Sequence, residues 1–239
     1  MHENFIVLSE MRFLIFLILI LNLISGPCFS ESLSLLEHGQ KTAEGAFDET
    51  GMWILGIGAA VTAVSFQYDE QTQIEWKNHQ KMPRSVSQYG DIWGTGVPQA
   101  LIIIGQIYYD KENGIPALEG LVLSGLVTHT AKIVIGRKRP DSDTKTSMPS
   151  GHTQAAFSIA ASMTESYGWK VGVPFWGLGV LTGLSRLADN AHWLSDVAAG
   201  ATIGTLFGRA GYGHHHVQPT ILFNKSNIEG FSVSLQSNW

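Results

Sequence analysis

An all-α helical bundle closed by a short β-hairpin tail is the fold class that three features of the sequence predict. Helix-like segments fill the chain from about residue 33 to 209, strand-like patterns are absent until about residue 220, and Gly and Pro separate the segments at close intervals. The segments run roughly over 33–47, 50–68, 91–109, 116–135, 152–167, 171–187 and 193–209. Breaks fall at Gly114-Ile115-Pro116, Arg139-Pro140, Tyr167-Gly168-Trp169 and Gly211-Tyr212-Gly213. Most connections are short, which makes neighbouring helices pack antiparallel.

Ahead of the first segment, Arg12 precedes the apolar run Phe13 to Ile24, and Cys28 and Ser30 supply small residues around a cleavage point. This is the pattern of an export signal over residues 1–30, cut after Ser30. Glu3 and Glu10 are unusual before such a run, whereas Met11-Arg12-Phe13 is an ordinary opening, so Met11 is a candidate start. Pro27 beside Cys28 argues against lipidation there. Cleavage after Ser30 leaves a chain without cysteine, which suits an oxidising compartment such as the periplasm.

No Pro/Ser-rich or charge-rich stretch divides what remains, so one domain is expected over 31–210 and a tail over 211–239. In the last helical segment Gly200, Gly204 and Gly208 recur every four residues and lay a flat stripe on one face, where another backbone packs closely. In the tail, Ile221-Leu222-Phe223 and Phe231 to Leu235 flank a turn region containing Asn, Lys, Ser and Gly, and read as the hairpin. His214-His215-His216 reads as a solvated, Gly-flanked run rather than a metal site.

With 44% hydrophobic and 15% charged residues the chain is apolar for a soluble protein. Its mean hydropathy of +0.09 is nevertheless low for a multi-span membrane protein. A formal charge of −5 argues against a nucleic-acid partner, which would call for a basic face.

Clusters of polar residues interrupt the apolar helices at their ends. The first is Lys132 followed seven residues later by Arg139-Pro140, the second Pro149-Ser150-Gly151-His152, the third Ser185-Arg186 with His192 and Asp196. Lys132, Arg139 and Arg186 are cations suited to the charge on a phosphoryl group in transfer, and the arginines add forked hydrogen bonds. Lys132 lies within an apolar helix, where burial demands a partner. Arg137 and Lys138, by contrast, read as solvated or salt-bridged surface charges. Ser150 is suited to cap a helix whose free N–H groups would face an anion, with His152 in the first turn. His192 and Asp196 are four residues apart, so on a helix the carboxylate reaches an imidazole nitrogen and steers the ring.

Lys132-x6-Arg139-Pro140, Pro149-Ser150-Gly151-His152 and Ser185-Arg186-x5-His192-x3-Asp196 resemble the three signature motifs of the type 2 phosphatidic acid phosphatase (PAP2) family, complete and in the family's order. The resemblance covers the catalytic core alone. It implies the all-α bundle shared with bacterial nonspecific acid phosphatases and vanadium haloperoxidases, with the motifs gathered at one end. It further implies a metal-independent phosphatase without a cofactor, in which His192 is the nucleophile, Asp196 orients it and His152 protonates the leaving oxygen. Lys132, Arg139 and Arg186 would bind the phosphate, helped by Ser150 and the Gly151 amide.

The expected substrates are lipid phosphates or diphosphates, with soluble phosphomonoesters as the alternative; a vanadium-dependent haloperoxidase and a noncatalytic phosphate or lipid binder are the rivals. Counting crossings from a cleaved signal, with 50–68, 91–109 and 116–135 all spanning, would put the motifs in the cytoplasm. The sequence therefore predicts an exported, periplasmic domain, soluble or peripherally attached to a membrane, with its apolar helices buried against one another. An integral membrane protein is the alternative.

Overall fold

The computed structural model describes residues 40–79 and 81–212, together with the backbone of 215–224 and 227–237. The export signal, its cleavage point, the start at Met11 and the side chains of His214-His215-His216 lie outside these residues. After a helical turn over 40–45 come α1 (Glu49–His79), α2 (Arg84–Gly94), α3 (Val97–Tyr109), α4 (Lys111–Ile135), α5 (Gly151–Tyr167), α6 (Trp169–Ala188) and α7 (Leu194–Ala210). In the tail, β1 (His215–Asn224) pairs antiparallel with β2 (Asn227–Ser237).

Several boundaries differ from the sequence reading, each for a local reason. The first apolar segment does not stop at Tyr68, because the Glu, Gln and Lys residues beyond it are good helix formers and carry α1 to His79. The segment expected over 91–109 is two helices, divided where Gly96 takes φ 85°. Gly114 and Pro116 do not break α4, which begins before them at Lys111.

Helix α5 is the centre of the bundle and packs against α4, α6 and α7. Its interior face is made of small residues, including Ala155, Ala156, Ser158, Ala160, Ala161 and Ser162, so neighbouring backbones come close. The Gly200, Gly204 and Gly208 stripe of α7 lies on it: a Cβ at those positions would run into the carbonyl oxygens of Ser150, Gln154 and Ser158. Larger side chains fill the space farther out, where Ile103, Leu118, Leu121, Ile159 and Met163 form one cluster. Gln154 reaches Ser124 of α4 at 2.6 Å, so these two buried polar groups satisfy one another across helices.

The apolar helices are only partly buried against one another, which departs from the sequence expectation. Trp53, Ile57 and Val64 of α1, Leu101 of α3, Ile133 and Val134 of α4, and Val173 and Val180 of α6 all face outward. The interior takes small residues of α5 and α7 and a limited set of large ones such as Leu118, Leu121, Ile159 and Phe207, and the remaining large side chains stay outside. Among the described residues α1, α4 and α6 are long and apolar enough to cross a membrane. In α1 only 11% of the most apolar stretch is buried inside the protein.

Candidate active site

The three polar clusters meet at one end of the bundle because of how their helices terminate. Gly136, at φ 58°, caps α4 and donates its N–H to the Lys132 carbonyl at 3.0 Å. This ends the helix one turn after Lys132 and sends Arg137 to Arg139 into the following loop. There Arg139 N–H donates to the Thr144 carbonyl at 3.1 Å and Ser147 N–H to the Arg137 carbonyl at 3.0 Å, which folds the loop back on itself. Lys132 is 3% exposed, and the partner its burial requires is the Thr146 carbonyl, 2.6 Å from Nζ.

At the start of α5, Ser150 is the N-cap expected from its residue type: its hydroxyl oxygen accepts from Thr153 N–H at 3.4 Å and from Thr153 Oγ1 at 3.0 Å. Its own backbone N–H donates to the Asp196 carbonyl at 2.9 Å, tying α5 to α7. A Cβ on Gly151 would stand 3.8 Å from Lys132 Cε, so the first turn of α5 faces that lysine. His152, in the same turn, is one-third exposed at the mouth of the site.

The third cluster follows from the end of α6. Arg186 lies in its last turn, nearly buried, and its carbonyl accepts from His192 N–H at 3.4 Å. That contact brings His192 back over the helix end. His192 Nδ1 then lies 3.5 Å from Asp196 Oδ2, longer than a normal hydrogen bond, and the pair meets through the turn before α7 rather than along one helix face as the spacing suggested. Burial pushes the His192 imidazole down to about 3, and the charges of Lys132 and Arg139 act in the same direction while Asp196 opposes them. Burial and these charges thus favour the neutral form of the ring.

Asp196 is fully buried and held from several sides. Its Oδ1 accepts from Arg137 Nη1 at 2.8 Å, and its Oδ2 accepts from Trp193 N–H at 2.9 Å and from the Ser147 hydroxyl. Arg137 also pairs with Asp69 of α1 at 2.7 Å and donates to Ser195 Oγ at 2.6 Å. Asp69 in turn accepts from Ser195 N–H at 2.9 Å. The expectation of Arg137 as a surface charge is thereby corrected: its guanidinium lies 4.7 Å from the Phe66 ring centroid and 5.2 Å from that of Trp193, against the Asp196 carboxylate. A surface cleft lined by Phe66, Gln67, Glu70, Lys138 and Trp193 opens beside Arg137. Lys138 does behave as a surface charge, exposed and paired with Asp143 at 2.7 Å.

Asp69, Asp91, Arg137, Ser147 and Ser195 are the residues of this end that sequence reasoning missed. Asp91 of α2 lies 3.2 Å from His152 Nε2 and 2.6 Å from Arg186 Nη1. Its hydrogen bond with His152 holds the carboxyl below the usual range, and Arg186 adds to this against partial burial. Nothing in its local sequence marks it, because its partners are about 60 and 95 residues away. Ser195, next to Asp196 in the third cluster, was the one accessible signal.

Residues 113–218, which include all three clusters, match the family model described as PAP2 superfamily. The chain is 40% identical over 96 residues, 39% of its length, to the lipid A 1-phosphatase of Porphyromonas gingivalis. It is 39% identical over 66 residues, 28% of its length, to the lipid A 4'-phosphatase of Helicobacter pylori. The chain spans 22% of the first relative's length and 33% of the second's. The crystal structure of Aquifex aeolicus LpxE shares the fold, with a TM-score of 0.52 and 21% identity, covering 58% of this chain and 90% of that one.

Proposed function

We propose, from the premise that residues 113–218 are a PAP2 superfamily domain, that the chain is a membrane-embedded, metal-independent phosphatase of lipid phosphates acting through a phosphohistidine on His192. The observation that carries this reading is the buried His192, kept neutral by burial and by Lys132 and Arg139, with Asp196 beside Nδ1. A neutral imidazole steered at one nitrogen is a nucleophile at the other. In the first step Nε2 of His192 attacks phosphorus, the P–N bond forms and the P–O bond to the leaving group breaks. The electron pair goes to the leaving oxygen, which takes its proton from protonated His152. In the second step neutral His152 takes a proton from water, the oxygen of that water bonds to phosphorus, and the P–N bond breaks to release phosphate. Lys132, Arg139, Arg186, the Gly151 amide and the Ser150 hydroxyl proton hold the phosphoryl oxygens, whose charge is greatest in transfer.

The lipid part of the reading rests on the outward apolar faces of α1, α4 and α6. Those faces would lie against acyl chains, with the site at one membrane surface. The curated relatives are named for lipid A, so a phosphate carried by an envelope lipid of that kind is the proposed substrate class. Detergent-solubilised protein in excess EDTA, offered lipid A, phosphatidate, phosphatidylglycerol phosphate, a polyprenyl diphosphate and a soluble alkyl phosphate, should release phosphate fastest from a lipid and be inhibited by vanadate. Preference for the soluble ester would make it a nonspecific acid phosphatase, and activity restored only by magnesium would sink the metal-free mechanism. Halide oxidation dependent on vanadate and peroxide would identify a haloperoxidase instead. Carbonate washing should leave the protein in the membrane.

The proposal keeps the catalytic end on the periplasmic side, which requires that the start of α1, at the opposite end of the bundle, face the cytoplasm, as it would not after a cleaved export signal. A cysteine at exposed Asp143, in the loop carrying Arg139, should react with a membrane-impermeant thiol reagent in spheroplasts. Labelling above that of the unsubstituted chain only after lysis would place the site in the cytoplasm.

A further inference from the structure

Helix α2 lies outside the motif clusters, yet it is fixed against the helices that carry two of them. Gly90 permits the approach to α6: a Cβ there would stand 2.7 Å from Ser185 Cβ. Gly94 permits the approach to α5, where a Cβ would stand 2.6 Å from His152 Cβ. Hydrogen bonds hold this docking, from Thr182 Oγ1 to the Gly90 carbonyl at 3.1 Å and from Ser87 Oγ to Asp189 Oδ1 at 2.7 Å. Asp91, next to Gly90, is thereby brought to two groups at once. One carboxylate oxygen lies 3.2 Å from His152 Nε2 and 2.6 Å from Arg186 Nη1, while Asp189 holds the other side of the same guanidinium at 2.7 Å.

An isolated ion pair at a half-exposed carboxylate would contribute little to stability. Asp91 is instead shared between two motif residues from different helices, and one of its partners is the proposed proton donor. We propose that Asp91 is the positioning residue for proton transfer: it accepts the Nε2 proton of His152 and so reserves Nδ1 for the reaction. Protonated His152 gives its Nδ1 proton to the leaving oxygen as the P–O bond breaks, and Nε2–H stays on Asp91. The Nδ1 lone pair this leaves then takes a proton from the attacking water. Fixing one ring nitrogen to set the role of the other is the logic by which carboxylates steer catalytic histidines. This makes Asp91–His152 a second carboxylate–imidazole pair, in addition to that of Asp196 and His192. It rests on the phosphatase reading above.

The test compares Asp91→Asn, which removes the charge at nearly constant shape, with Asp91→Glu, which keeps the charge, in the full detergent-solubilised chain. A misplaced acid slows expulsion of a poor leaving group most. In Asp91→Asn, kcat on an alkyl phosphate should therefore fall on the order of tenfold to a hundredfold, within the roughly 10²- to 10⁴-fold that a general acid supplies. The fall on an activated aryl phosphate should be several-fold smaller, and Asp91→Glu should recover part of the difference. On a His152→Ala background Asp91→Asn should add no further loss on the alkyl phosphate. Equal losses on both esters, losses that multiply with His152→Ala, or tighter vanadate inhibition with kcat preserved would each overturn the assignment, the last by showing that Asp91 only competes with phosphate for Arg186. A readout without turnover separates this failure from that of the phosphatase reading. In histidine-labelled protein the ¹⁵N signal of His152 Nε2, identified by its loss in His152→Ala, should move in Asp91→Asn. An unmoved signal overturns the pairing even in an active phosphatase. A moved signal in a chain that hydrolyses no phosphate supports the pairing and overturns the phosphatase reading alone.

Discussion

The two ends of the bundle both rely on ion pairs and hydrogen bonds between helices, but they distribute them differently. At the end away from the motifs, Arg209 meets Asp48 through two contacts of 2.8 Å, Tyr212 donates to the Asn113 carbonyl at 2.7 Å, and Tyr167 donates to Asp110 at 3.0 Å. Each of these contacts closes a helix end against its neighbour. Burial pushes the Tyr212 phenol up to about 12, so that it stays an uncharged hydrogen-bonding group. At the motif end the carboxylates are shared: Asp196 serves Arg137, Ser147, Trp193 and His192, and Asp91 serves His152 and Arg186. Burial drives the His192 imidazole down, and the charges of Lys132 and Arg139 add to it. Pairs that each join two helix ends make a lock, whereas carboxylates shared among several partners tie the motif residues into one network.

The largest effect that would test this contrast belongs to His192. Its replacement by Ala should remove phosphoenzyme and lower kcat about 10⁴-fold, measured by trapping labelled phosphoprotein; label that survives would transfer the nucleophile to another residue. Arg137→Met should come next. It strips the cation from two carboxylates that are at most 4% exposed, so thermal unfolding in detergent should show a loss of about 3 kcal/mol. Because Asp196 also loses an anchor, kcat should fall on the order of 10- to 100-fold. A stable Arg137→Met protein with unchanged kcat would reduce this network to ornament.

Arg209→Met makes the matching change at the other end. It should cost about 1 kcal/mol, since the pair is partly exposed, and leave kcat within about twofold. A catalytic loss there as large as that of Arg137→Met would erase the distinction between the two ends. The smallest expected effect is on the His192 ring itself between pH 7 and pH 5. With its value lowered from 6.5 to about 3, the folded chain resists a proton that the unfolded chain accepts. The ring should stay neutral throughout that window, and any stability cost should grow as pH falls below 6.5 toward 3. Protonation near 6.5, seen in the histidine ¹⁵N spectrum, would contradict the buried cationic setting.

Much of the site was legible before any fold was known, for a physical reason. Lys132, Arg139, Ser150, His152, Arg186, His192 and Asp196 fall in short runs at helix ends, where capping, i,i+4 spacing and the cost of burying a charge are properties of neighbouring residues in the chain. The glycine stripe of α7 was legible in the same way, because helical periodicity alone places Gly200, Gly204 and Gly208 on one face. The length of α1 was not, since polar residues that extend a helix look locally like those that end one.

What lay beyond the sequence depends on which helix is packed against which. Asp69 and Asp91 are unremarkable residues of α1 and α2 until docking brings one to Arg137 and Ser195 and the other to His152 and Arg186. The placement of the apolar faces was likewise a tertiary decision. Periodicity says that a helix has an apolar side, but only the packing on α5 decided that Leu118 and Leu121 of α4 enter the core while Ile133 and Val134 of the same helix, and large side chains of α1 and α6, point out. Composition could name the chemistry of each residue, and only packing could choose its neighbour.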